Sequence, residues 1–240
     1  MSIRHIRKQQ SGIARMGHFP NQGGKISAIA ALAPLVWYDP ATLTVGNFWA
    51  NSGSYGAEWD ADAAWGTGGT VVTDPSIGTS LHTSVGASPG GVYTTSYVTN
   101  VPIASSYTIG CVYRINGTVN PTNWMFNAAG TAGIQSITTN TPAYIINGQT
   151  ANLSAALSQP ASVANYFVGE WNPATIRNQS KYSPLSARSA VPIDMQGVIL
   201  GASSAFSNFN LNARFATFFI LAGARLPEAI AAIQADFPTI

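Results

Sequence analysis

The sequence predicts an all-β fold: a two-sheet antiparallel sandwich with a short C-terminal helix and an extended N-terminal arm. Three observations carry that reading. Of the 240 residues, 46% are hydrophobic and 10% aromatic, whereas only 8% are charged, far below the roughly 25% usual in soluble domains. Ser, Thr and Asn together number 61, and Gly and Pro add 23 and 14; aromatic and hydroxyl residues mixed with turn formers favour many short strands. Short apolar runs also recur along the chain with turn residues between them, and no repeat of fixed period emerges. The apolar content is ample for a core, which excludes disorder over most of the length. The longest weakly polar run, Ala28 to Trp37, is broken by Pro34 and is about half the ~20 residues that a membrane span needs, so no membrane contact is expected.

The arm comes first. Residues 1–27 carry Arg4, Arg7, Lys8, Arg15 and Lys25 and no acid, whereas the remaining 213 residues hold six basic and nine acidic side chains. A +5 arm is thus joined to a −3 body. The arm is rich in Gln, Gly, Ser and Asn without periodicity and is not expected to fold alone, which places the domain boundary between 27 and 28. It is too polar for too long to read as a secretory signal, and the apolar stretch after it runs into a strand. Phosphate neutralisation by five charges gives weak, salt-sensitive attraction, and Phe19 is the arm's one aromatic residue. Anchoring on an acidic protein surface through Arg4, Arg7, Lys8, Arg15 and Lys25 is therefore preferred to nucleic-acid binding.

Over residues 28–240, strands are expected at Val36–Tyr38, Gly69–Thr73, Val92–Val98, Tyr107–Ile115, Asn123–Asn127 and Ile134–Thr138. Further strands follow at Ala143–Ile146, Gln149–Leu153, Val163–Trp171, Gln196–Ala202 and Ala213–Ala222. Asn147-Gly148 and Asn116-Gly117 are hairpin signals, because both turn positions accept positive φ. The run Arg214–Leu221 is apolar on both faces, so it predicts a strand covered on one side by the opposing sheet and on the other by a helix or another chain. Cys111, the single cysteine, falls in an alternating strand and reads as a core thiol. At the C-terminus, Pro227 suits a first helical turn and Glu228 its positive end. Leu226, Ile230, Ile233 and Phe237 share one face, and Pro238 stops the helix.

Pro34-Leu-Val-Trp-Tyr-Asp39, Phe48-Trp-Ala-Asn-Ser-Gly53, Ala104-Ser-Ser-Tyr-Thr-Ile-Gly-Cys-Val-Tyr-Arg114, Val198-Ile-Leu-Gly-Ala-Ser203 and Phe218–Ala222 with the Arg225–Phe237 helix follow one another in a recognisable order. Together they resemble the laminin G-like, concanavalin A-type jelly-roll domains of tailed-bacteriophage virion proteins. The resemblance covers about residues 34–238 and leaves the arm outside. It implies a jelly roll and a non-enzymatic virion component on the particle exterior, as capsid decoration or a tail or neck part. Its partners would then be other virion proteins and copies of itself. The alternative is a carbohydrate-binding tail adhesin that recognises a host surface glycan.

Chemistry-bearing residues are few. Trp49, Tyr55, Trp59 and Trp65 crowd together beside Asn47 and Asn51 and are the candidate glycan-binding rings, although tryptophans at this density also build cores. The superfamily includes glucanases, but Glu58-Trp-Asp-Ala-Asp62 lacks the third acid of the laminarinase-type pattern, because Ala63 stands there. On a strand these acids would face one side; a weak calcium site using Asp60 and Asp62 fits them better than hydrolysis. Glu170 has no partner near it in sequence. His82, the body's one histidine, lacks a nucleophile elbow beside it. The spacings of His, Cys and Gly give neither a structural metal site nor a phosphate loop, so no cofactor and no catalytic residue are expected.

Overall fold

The computed structural model describes residues 26–45, 48–62, 69–83, 92–94, 106–116, 124–128, 132–138, 141–146, 149–152, 162–172, 175–181, 183–189, 199–200 and 212–240. A one-turn helix α1 (Ala28–Ala31) precedes strand β1 (Val36–Tyr38). Then come β2 (Phe48–Trp49), β3 (Ala61–Asp62), β4 (Thr70–Asp74), β5 (Gly78–Thr83) and β6 (Val92–Thr94). The middle of the chain forms β7 (Tyr107–Ile115), β8 (Trp124–Ala128), β9 (Ala132–Thr138), β10 (Thr141–Ile146) and β11 (Gln149–Asn152). The rest forms β12 (Ala164–Trp171), β13 (Thr175–Ser180), β14 (Ser183–Ser189), β15 (Ile199–Leu200), β16 (Ala213–Ala222) and helix α2 (Leu226–Asp236).

These strands make two antiparallel sheets, as the composition predicts. One runs β14-β13-β12-β7-β16-β5-β4, with β1 also on β16; the other runs β11-β10-β9-β8-β15-β6-β3-β2. β16 changes neighbour along its length, pairing with β5 through Ala213–Phe215 and with β1 through Phe218–Ile220. The handover coincides with a register shift against β7 between Phe215 and Thr217, and such a bulge adds local twist. There the Thr217 hydroxyl donates to the Tyr38 carbonyl at 2.9 Å and accepts from Trp37 Nε1 at 3.2 Å.

The first sheet is covered on both faces. Its inner face meets the second sheet through Tyr38, Tyr107, Phe167, Trp171, Phe215 and Phe218, against Trp49, Trp59 and Leu200. Its outer face packs Val112, Tyr166, Val168, Phe219 and Leu221 under Ile29 of α1 and Leu226, Ala229, Ala232 and Ile233 of α2. Expected double coverage of Arg214–Leu221 is thus met by a sheet and two helices. In α2 the two alanines, not only the larger residues at predicted spacing, let the helix lie close to the sheet. Cys111 is buried in the inter-sheet core, and burial pushes its thiol well above the usual range.

Two glycines explain close approaches. At Gly110 a Cβ would come within 2.0 Å of the Phe219 ring, which lies over it from the paired strand. At Gly53 a Cβ would meet the Leu35 carbonyl oxygen at 2.4 Å. The Asn51-Ser-Gly53 turn owes its shape to Asn51, whose Oδ1 accepts from Trp37 and Gly53 N–H at 2.7 and 2.8 Å.

Glu170 does have a partner. It stands opposite Arg177 across the β12–β13 hairpin, and its Oε1 accepts from Arg177 Nε at 2.7 Å while Oε2 accepts from the Leu226 N–H of α2 at 2.9 Å. Seven residues apart in sequence, the pair is invisible until the hairpin is known. Asn147-Gly148 lies outside the described residues, but Ile146 faces Gln149 in the β10–β11 pair, as a two-residue hairpin requires.

Candidate functional site

A cleft of about 820 Å³ opens on the outer face of the first sheet, where α2 ends. One wall is the start of α1, with Ile26, Ser27 and Ile29; another is the β4–β5 turn, Asp74 to Thr79. The segment from Trp37 to Ala41 and the stretch from Ala235 to Thr239 complete it, with Thr217 among the lining residues. Pro40, Pro75, Phe237 and Pro238 supply apolar surface. The Thr239 hydroxyl donates to the Ser76 carbonyl at 2.8 Å, which ties the chain's end to the turn.

Three aspartates line the cleft: two arise from local turn chemistry, and the third ends α2. Asp39-Pro40 and Asp74-Pro75 both start turns in which the carboxylate accepts the N–H two residues on, Ala41 at 3.0 Å and Ser76 at 2.8 Å; Asp does this readily because its side chain is short. Asp74 Oδ2 also accepts from Arg214 Nη1 at 2.6 Å and Arg114 Nη1 at 3.1 Å. Burial alone would raise the Asp74 carboxyl, but the Ser76 N–H and the two guanidiniums outweigh it and hold the group below its ordinary value. Asp236 closes α2 and caps α1, accepting from Ala28 N–H at 2.8 Å, Ile29 N–H at 2.9 Å and the Ser27 hydroxyl at 2.6 Å. Asp39 is shifted the other way: burial raises its carboxyl, the Ala41 N–H opposes this, and the charge of Asp236 raises it further.

The aromatic candidates fall elsewhere. Trp49 and Trp59 are 0% exposed and fill the inter-sheet core, so the expectation that they stack on a glycan is corrected: no face of either ring is open. Trp49 Nε1 donates to the Asp39 carbonyl at 2.8 Å, and the Trp59 carbonyl accepts from the Tyr38 hydroxyl at 3.0 Å. Tyr55 packs partly buried against Trp59, with ring centroids 6.3 Å apart. Trp65 and Asn47 lie outside the described residues, as do Arg4, Arg7, Lys8, Arg15 and Lys25.

The acids of the 58–62 segment do not share a strand face. Glu58 is exposed in a 3-10 turn, Gly56–Trp59, and the strand begins only at Ala61. Asp60 Oδ1 accepts from Asn51 N–H at 2.7 Å; burial raises its carboxyl against that bond. The Asp62 side chain is not among those described. Among the described residues, no three His, Cys, Asp or Glu side chains lie close enough to hold a metal ion. His82 Nε2 lies 2.9 Å from Asn212 Oδ1.

Sequence reasoning missed Asp39, Asp74 and Asp236. The available signal was the repeated Asp-Pro pair, which marks turn starts, but only the fold brings two such turns against the end of α2.

No family model matches the sequence, and no curated protein does. Solved structures do. The botulinum neurotoxin serotype D ligand-binding domain, in complex with N-acetylneuraminic acid, aligns with a TM-score of 0.60 at 12% identity over 87% of this chain and 52% of its own. Domain 4 of the arabinanase AbnA of Geobacillus stearothermophilus, in complex with arabinotriose, aligns with a TM-score of 0.59 at 10% identity over 83% and 97%. A Trypanosoma rangeli sialidase aligns at 0.57 and 11% over 85% and 33%. The fold is a concanavalin-like β-sandwich. This chain spans about half of the neurotoxin chain and a third of the sialidase chain, and likeness at these identities is one of fold.

Proposed function

We propose that this chain is a non-catalytic glycan-binding module. The observation that carries the reading is the cleft, where the half-buried carboxylates of Asp39 and Asp236 stand beside apolar surface from Phe237 and three prolines, over the fully buried Asp74. A sugar ring offers hydroxyls to the first and C–H faces to the second, and concave sites with a few placed polar groups are where small ligands bind. Two structures of similar fold are complexes with sugars, N-acetylneuraminic acid and arabinotriose, which supports the reading. Glycoside hydrolysis needs two carboxyls flanking the bond, one of them protonated. Here Asp74 is held ionised by two arginines and Asp236 is engaged by three donors, which favours binding over hydrolysis.

The test is a glycan array probed with the full chain and with Thr79→Trp. Thr79 is exposed and lines the cleft, so the bulky substitution blocks the site without touching the core. Binding to a set of related glycans, lost in the variant, is expected; equal binding by both proteins would overturn the assignment of the cleft.

A second reading concerns where the module is carried. The charge division between residues 1–27 and the body, with the resemblance to phage jelly rolls, supports display on a virion through the arm, where repeated weak contacts give avidity. Quantitative mass spectrometry of purified particles tests this. A copy number near that of the shell protein means decoration, a small one a tail or neck part, and absence refutes the virion reading.

A further inference from the structure

Resting on the glycan-binding reading, we propose that the cleft selects amine-bearing and uncharged sugars and rejects acidic ones. Every charged side chain among its described lining residues is a carboxylate; Lys, Arg and His do not line it. The three acids are not equivalent. Asp74 is compensated by Arg114 and Arg214, and Asp236 is compensated by the first N–H groups of α1. Among the described residues Asp39 accepts one backbone N–H, that of Ala41, and it lines the cleft together with Asp236, whose charge acts on it, so its end of the cleft is the negative one.

Hydrogen-bond polarity points the same way. An ionised carboxylate only accepts, whereas N–H and O–H groups donate. Several donors around this cleft are already turned inward. Backbone N–H groups of Ala28, Ile29, Ala41, Ser76 and Ile77 go to the three aspartates. The hydroxyl protons of Ser27, Thr217 and Thr239 go to Asp236, the Tyr38 carbonyl and the Ser76 carbonyl. Beside the Ser76 and Thr79 hydroxyls, which also line the cleft, an incoming ligand meets the carboxylates of Asp39 and Asp236, to which it has to bring donors. Sugar hydroxyls do so, and an ammonium does so with a favourable charge. The carboxylate of an acidic sugar brings neither and is repelled by Asp39. The preference is thus opposite to the acidic sugar held by the neurotoxin domain.

Titration calorimetry with the full chain tests this, using oligomers that share a backbone and differ in charge: glucosamine, N-acetylglucosamine and a uronic acid, in ~0.15 M salt to screen distant charges. Affinity for the cleft is taken as the signal lost in Thr79→Trp. The expected order is amine, then neutral, then acid, with roughly tenfold or more between first and last. Asp39→Asn keeps the turn acceptor but removes the charge, and is expected to narrow the amine-to-neutral gap and to raise the acidic probe's affinity relative to the neutral one's. An acidic probe bound as tightly as the neutral one overturns the selectivity but leaves glycan binding standing. If none of the three binds and the array is also blank, the glycan-binding reading falls and takes the selectivity with it.

Discussion

Replacing Glu170 by Gln is expected to destabilise the protein by about 2–3 kcal/mol. Its carboxylate is fully buried, bonded by Arg177 at 2.5 and 2.7 Å and by the first N–H of α2 at 2.9 Å. Gln keeps the volume and one acceptor but removes the charge. Hydrogen bonds to charged groups contribute about 1.5–3 kcal/mol, and an anion at a helix N-terminus about 0.3–1 kcal/mol. The Arg177 side chain is 36% exposed, so it turns to water when abandoned, and the loss stays below the ~3–5 kcal/mol of a stranded buried charge. Glu170→Ala also removes the helix acceptor and leaves a cavity, raising the cost to about 4 kcal/mol. Urea unfolding followed by tryptophan fluorescence measures both variants. A Gln variant within about 0.5 kcal/mol of the parent would refute the reasoning. A double-mutant cycle with Arg177→Met isolates the ion pair, with a coupling of at least about 1 kcal/mol expected.

Gly110→Ala drives a methyl into the Phe219 ring and is expected to cost about 2 kcal/mol, read as a melting temperature lower by several degrees. Cys111, buried and with its thiol raised, should resist a maleimide in the native state and react on denaturation; rapid native labelling would contradict the core assignment. Stability should pass through a maximum near pH ~4. Asp39 and Asp60 are raised in the folded state, so their protonation on descent from neutrality favours folding. Asp74 is lowered, so the stability it contributes above its unfolded pKa is lost as pH falls through its folded value. Denaturation midpoints across pH 3–7 that fall steadily from neutrality would contradict this balance.

Much of the sandwich was legible because its most buried strands are apolar: β1, β7 and β16 match the runs Val36–Tyr38, Tyr107–Ile115 and Ala213–Ala222 to the residue. The strands missed were β2, β3, β5, β13 and β14. In β13, Thr-Ile-Arg-Asn-Gln-Ser, the buried positions include Asn178 and Ser180, so polarity no longer marks the outward face. β2 and β3 are two residues long, too short for any period to show. Two of the candidate glycan-binding rings proved to be core residues for a related reason. Tryptophans attract notice as ligand platforms, yet Trp49 and Trp59 were needed to fill the space between two sheets. Acids scattered at 39, 74 and 236 carry no local signature beyond their turns.

The clamp that Asp236 places on Ser27, Ala28 and Ile29 has a mechanical meaning. Tension on the arm enters the body at the point where one carboxylate holds three donors, before it reaches β1. These bonds are expected to yield first, with α1 peeling away while the paired strands behind it stay loaded but intact. Stretching the chain from its N-terminal side should therefore show a small early rupture, abolished by Asp236→Ala, ahead of the main unfolding event. A module that hangs from its arm would thereby have a mechanical fuse where tether meets body, sparing the sandwich from transient loads.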